Sequence, residues 1–67
     1  MKNIKINSSN IKNIYYDELK QELLVFFQNN SFYKYFNIKK EEVIRFELEE
    51  HKTKFIKSNF LNYVRVY

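Results

Sequence analysis

The stretch Leu23-Leu24-Val25-Phe26-Phe27-Gln28-Asn29-Asn30-Ser31-Phe32-Tyr33-Lys34-Tyr35-Phe36 decides how this chain folds. The apolar run at 23–27 is too short for an independent helix and is bounded by turn formers, which favours a strand. Gln28-Asn29-Asn30 then predicts a hairpin turn, because Asn tolerates positive φ better than any residue except Gly. Positions 31–36 return as the next strand. Strand alternation sets Tyr33 and Tyr35 on one face, and Phe32, Lys34 and Phe36 on the other.

Working outward, positions 11–16 combine β-branched and aromatic residues and end at Asp17-Glu18, as a strand would; positions 19–22 read as a connection. Ser8-Ser9-Asn10 is a turn signal, and the alternation at 2–6 is that of a short strand or a frayed tail covering 1–7. Downstream of Asn37 the period changes. Positions 40–50 are rich in Glu, with Val43, Ile44 and Leu48 at helical spacing and Phe46 widening the stripe. Glu41 and Glu42 fall in the first turn, where the helix dipole favours negative charge, and Lys52 and Lys54 follow the end. Phe55, Ile56 and Phe60 suit a short second helix or an irregular turn, and the alternation at 63–67 suits a closing strand. The expectation is an α+β domain spanning 1–67: an antiparallel three-stranded meander packed against one amphipathic helix, followed by a short second helix and a terminal strand.

Composition sets the limits. A chain of 67 residues makes one domain and buries only about 60% of the surface its unfolded form exposes. With no Cys, it has neither disulfides nor thiolate metal sites to staple it. Its seven Phe and six Tyr must supply the core. The chain therefore either folds on a dense aromatic core or is completed by association, a homodimer included. No apolar run approaches the roughly 20 residues of a membrane span, and positions 1–10 do not resemble a signal peptide, so a cytoplasmic, non-membrane protein is expected. Gly and Pro are absent, which leaves tight turns to Asn, Asp and Ser. The abundance of Lys, Asn and Ile reads as the coding bias of an AT-rich bacterium or its phage.

Charge is segregated. Positions 1–40 carry seven basic and three acidic side chains, 41–50 one basic and five acidic, and 51–67 four basic and none acidic. An acidic helix is thus flanked by two basic segments. A surface built purely for nucleic acid would rarely hold five carboxylates beside its binding face, since phosphate contacts supply most of that affinity.

Tyr33-Lys34-Tyr35 is the most informative local motif. Two tyrosines on one strand face can stack successive bases; the plainer reading is that they lie under the helix as core. Lys52, Lys54, Lys57 and Arg65, with Phe55 and Phe60 interleaved, have the composition of a phosphate-contacting edge, or of an ordinary solvated face over buried aromatics. Lys12 adds a further cation. His51 is the lone histidine, so a zinc site is not expected, and its place at a helix end suits a C-terminal cap or a surface role. No Gly-rich phosphate cradle can form, no nucleophile, base and acid are spaced for a triad, and no cofactor is implied. The expected class is a non-catalytic binding module.

Taken in order, Ser8-Ser9-Asn10-Ile11, Ile14-Tyr15-Tyr16-Asp17, positions 24–27, Tyr33-Lys34-Tyr35, Val43, Phe55 and Asn59-Phe60 resemble the KTSC domain. That small domain is named for its presence at the C-terminus of some lysyl-tRNA synthetases, and also stands alone in bacteria with a central Tyr-x-Tyr motif. The resemblance covers about 8–62 and carries over Ser8, Ser9, Tyr16, Asp17, Tyr33 and Tyr35. It implies an RNA-associated role. The chain departs from the family pattern at Asn29-Asn30, where Gly is usual, and at Lys39, where Pro is usual. Glu49, His51 and Thr53 replace small residues, and Ile56-Lys57 and Leu61 depart near the end. The scaffold reads as kept while the helix end and C-terminal surface have diverged.

Two functions follow as expectations. The first is nucleic-acid association, with RNA or a protein–RNA complex as partner: Lys12, Lys34, Lys52, Lys54, Lys57 and Arg65 would contact phosphates, and Tyr33 and Tyr35 would stack. The second is a protein-binding inhibitor or adaptor, such as a phage anti-CRISPR protein acting on a host nuclease, blocking an RNA-binding channel or docking through the acidic helix at 41–50.

Overall fold

The computed structural model describes residues 1–6 and 8–67; Asn7, the last residue of the segment read as strand or tail, lies outside the described residues. The strands are β1 Lys2–Ile4, β2 Ile11–Asp17, β3 Glu22–Phe27, β4 Phe32–Tyr35 and β5 Tyr63–Arg65; helices α1 Lys40–Leu48 and α2 Lys52–Asn59 lie between β4 and β5. The strands form one antiparallel sheet in chain order. The α+β class holds, but the meander is five-stranded rather than three-stranded, and two helices cover it rather than one. The added strands are three residues each. Segments so short have no strand identity of their own and take it from the neighbour they pair with.

The hairpin at the centre forms where the turn residues put it. Asn30 holds φ 69, its N–H bonds the Phe27 carbonyl at 3.0 Å, and Phe27 N–H bonds Ser31 O at 2.9 Å. Asn29 Oδ1 accepts from the Ser31 N–H at 3.0 Å and from its hydroxyl at 2.6 Å, so an Asx turn replaces the missing glycine. Register then follows: Leu23 pairs with Tyr35 and Val25 with Tyr33. The β2–β3 turn uses Gln21 at φ 56, and the step from sheet to helix uses Asn37 at φ 57. Ile38 next to it is anchored twice: its N–H bonds Gln21 O at 2.8 Å, and its carbonyl accepts the Tyr16 hydroxyl at 2.6 Å.

Both helices contribute to one hydrophobic cluster on a single face of the sheet. Ile4, Ile14, Tyr16, Leu23, Val25 and Tyr35 come from the strands, Val43 and Phe46 from α1, and Ile56 from α2, followed by Phe60. The expected stripe on α1 is corrected here. Val43 and Phe46 are buried, but Ile44 is 49% and Leu48 83% exposed. The reason is α2, whose Phe55 and the following Phe60 set their rings 5.8 and 5.9 Å from that of Phe46. One ridge of α1 suffices once a second helix fills the remaining space. The N-terminus of α1 carries half a capping box: the Glu42 carboxylate accepts from Lys39 N–H at 3.2 Å, while Lys39 itself has no acceptor to return.

Among the described residues, no helix covers the other face of the sheet. There Tyr15, Leu24, Phe26 and Phe32 are half-buried against one another. The rings of Phe26 and Phe32 stack at 4.2 Å and 6°, and Tyr15 meets Phe26 edge-on at 6.0 Å.

Candidate functional site

Two adjoining clefts run along α2 and share Asn10, Thr53 and Lys57. The larger, about 700 Å³, lies between α2 and the β3–β4 end of the sheet, with Phe27, Tyr33, Tyr35 and Tyr63 on its walls. The smaller, about 530 Å³, lies between residues 8–10 and α2, with Ser8, Ser9, His51 and Lys54 among its lining. Together they make one groove, aromatic at one end and charged at the other, where Glu50 stands among the lysines.

Strand alternation builds the aromatic end. Tyr33 and Tyr35 project toward the helices, and the β4–β5 register places Tyr63 opposite Tyr35 and Arg65 opposite Tyr33. The rings of Tyr33 and Tyr35 lie 6.2 Å apart at 21°, and Tyr63 lies 5.6 and 5.5 Å from the two. Tyr35 is 5% exposed and belongs to the core, whereas Tyr33 is only partly buried. The two readings of the Tyr-x-Tyr pair therefore divide: Tyr35 anchors, and Tyr33 is the one with surface to offer. Burial pushes the Tyr35 hydroxyl up to about 12, with the neighbouring Tyr33 and Tyr63 adding to the rise; the phenol stays neutral at physiological pH. At the junction of the clefts the Thr53 hydroxyl is buried with no hydrogen-bond partner among the described residues.

The basic candidates separate. Lys57 and Lys54 are exposed on α2 and line the groove, with no carboxylate in salt-bridge range among the described residues. Arg65 shares the strand face of Tyr33 at its rim. Lys12 is exposed at the irregularity between Ile11 and Asn13, two residues beyond Asn10. Lys34 is on the opposite, uncovered face, 3.8 Å from Glu22. Lys52 is turned inward: its ammonium donates to the carbonyls of Phe46 and Glu47 at 2.8 Å and to that of Glu49, and sits 5.3 Å from the Phe46 ring centre. It closes the C-terminus of α1, where the carbonyls lack partners within the helix.

His51 is exposed and stands at the N-terminus of α2 without a side-chain cap bond. Tyr63, Asn10, Gln28 and Thr53 also line the groove, and sequence reasoning missed them. Only the alternation at 63–67 signalled Tyr63. Polar residues from separated turns and a helix carry no common pattern. No helix among the described residues is long and apolar enough to cross a membrane.

The family model of the KTSC domain matches residues 7–63. The crystal structure of a KTSC domain protein from Yersinia pestis superposes with a TM-score of 0.83 at 19% identity, covering 98% of this chain and 97% of that one. A search of the curated proteins returned no match. Of the residues carried over by resemblance, Ser8, Ser9, Tyr33 and Tyr35 line the groove. Tyr16 and Asp17 instead hold structure, through bonds to Ile38 O at 2.6 Å and from Lys20 N–H at 3.3 Å.

Proposed function

The chain belongs to the KTSC domain family, and from that premise we propose that it is a non-catalytic module binding single-stranded nucleic acid, RNA in the first place, in the groove along α2. The observation that carries this reading is the meeting of a tyrosine cluster with unpaired cations on one concave surface. A base stacks on Tyr33, a contact worth about 1–3 kcal/mol. Lys54, Lys57, Arg65 and Lys12 neutralise the flanking phosphates, and Asn10, Gln28 and Thr53 offer hydrogen bonds between the two. The stacked pair on the uncovered face is a poorer platform, because Lys34 on that face already lies 3.8 Å from Glu22.

The test is fluorescence anisotropy with labelled single-stranded RNA and DNA over a salt series. Four phosphate contacts predict log K falling with log salt at a slope of about −3, from about −0.7 per contact on single strands. Substituting Lys57→Gln should lower the slope by about 0.7. Absence of binding at the lowest salt overturns the proposal. A protein-binding inhibitor or adaptor is the second reading, and the uncovered apolar strip of Tyr15, Leu24, Phe26 and Phe32 is what favours it. A specific protein complex abolished by Phe26→Lys, together with no affinity for RNA, would establish it instead.

A further inference from the structure

The strand β5 forms one edge of the sheet, and it is an unprotected one. Edge strands offer free N–H and C=O groups to any second strand, and proteins ordinarily blunt them with charge, Pro or cover. The opposite edge, β1, is held to the body: Lys2 reaches Glu47 of α1 at 3.1 Å, and Ile4 is buried. On β5 and just after it, Tyr63, Val64, Val66 and Tyr67 are 48–78% exposed, with Arg65 the only charge among them.

The main chain of β5 is oriented for pairing. Asn62 O and Val66 N–H bond Phe36 and Phe32 of the neighbouring chain segment. Period-two alternation therefore turns the N–H and C=O of Tyr63 and Arg65 outward, away from β4. Within Tyr63-Val64-Arg65 an aromatic and a cation flank one residue, so an antiparallel copy centred on Val64 sets each Tyr63 opposite an Arg65, a self-complementary pairing about a two-fold axis.

We propose that β5 pairs with β5 of a second copy of this chain, antiparallel about Val64, to make one continuous sheet. Of the registers that keep the outward groups in bonding range, an axis at Tyr63 would set Arg65 opposite Leu61, outside the strand. An axis at Arg65 would set two guanidiniums directly opposite, which is repulsive. An axis at Val66 would rely on residues past the strand, where Tyr67 N–H is already bonded to Phe32 O. The axis at Val64 uses β5 itself. It lets Tyr63 exchange both main-chain bonds with Arg65 of the second copy, and places that guanidinium over the Tyr63 ring, a cation–π arrangement.

This pairing stands apart from the nucleic-acid reading, but it bears on the same groove. A two-fold axis normal to the sheet keeps both sets of helices on one side. Tyr63 lines the aromatic end of the groove, so each groove acquires the Arg65 of the other copy beside its tyrosine cluster.

The absence of Cys gives a clean test by single-cysteine variants. Val64→Cys should form a disulfide-linked dimer under mild oxidation at least about tenfold faster than Leu19→Cys, a control at a turn position 97% exposed. Sedimentation velocity of the unmodified chain should show a weak dimer, with the sedimentation coefficient rising between about 10 µM and 1 mM, as expected of a small interface. Arg65→Pro removes one outward N–H without touching the bonds to β4, a substitution edge strands accept. It should leave a folded monomer by circular dichroism. Should that variant unfold, Val64→Lys sets two like charges on the axis and should give the same result. A chain that stays monomeric at the highest concentration overturns the proposal. So does equal cross-linking at positions 19 and 64, or a dimer indifferent to Val64→Lys. None of these readings involves RNA, so the two proposals fail separately.

Discussion

Replacing Lys52 by Met tests whether that ammonium serves the fold or a phosphate. Its donors satisfy three carbonyls at the end of α1, those of Phe46, Glu47 and Glu49. A hydrogen bond from a charged donor is worth about 1.5–3 kcal/mol. The site is only partly buried, and water can replace the lost donors, so the carbonyls together are counted once at the low end of that range. The favourable position at the C-terminus of α1 adds about 0.3–1 kcal/mol, and the cost of a cation in the first turn of α2 subtracts a similar amount. The contact with the Phe46 ring adds about 0.5 kcal/mol. The net loss is about 2 kcal/mol, a fall in melting temperature of about 10 °C for a domain this size. Met keeps most of the packing volume, which isolates the charge. Thermal unfolding followed by circular dichroism measures the loss, with Lys54→Met as the control, expected to cost less than about 0.5 kcal/mol. The same two proteins go into the salt series with RNA, where Lys52→Met should leave the slope unchanged and Lys54→Met should lower it. A Lys52→Met protein as stable as the control, or one that loses a full phosphate contact, refutes the assignment.

Three further outcomes are expected. Tyr16→Phe leaves the Ile38 carbonyl without its donor and should cost about 1–2 kcal/mol in denaturant unfolding; an unchanged midpoint would mean that bond is not formed in solution. Gln21→Gly relieves a non-glycine residue at φ 56. It should raise stability by about 0.5–1 kcal/mol, the left-handed strain of about 1–2 kcal/mol less the added chain entropy of glycine, and a lower melting temperature would contradict this. The Tyr35 hydroxyl titrates near 10 when unfolded and at about 12 when folded, so its contribution is intact below pH 10 and lost as pH rises from 10 toward 12. Alkaline unfolding followed by tyrosinate absorbance should begin in that window, and Tyr35→Phe should move its onset upward; an onset indifferent to the substitution places the sensitivity elsewhere.

Much of this protein was legible before its structure. The central hairpin was, because Asn29 and Asn30 are the residues a glycine-free turn requires and the flanking alternation leaves one register. The KTSC resemblance carried Ser8, Ser9, Tyr33 and Tyr35 to positions that do converge. Local chemistry determined the turns, the central strands and the existence of α1, since each depends on neighbours within a few residues. Tertiary packing decided what depends on distant partners. It made strands of the three-residue segments β1 and β5 by giving them an edge to pair with. It exposed Ile44 and Leu48 because α2 took the space they would have filled. It also sorted the cations, which a sequence ranks alike: Lys52 bends into the end of α1, Lys34 sits on the uncovered face beside Glu22, and Lys54 and Lys57 are left at the groove. Charge can be read along a chain, but the direction in which a lysine reaches is fixed only by what the fold puts within reach.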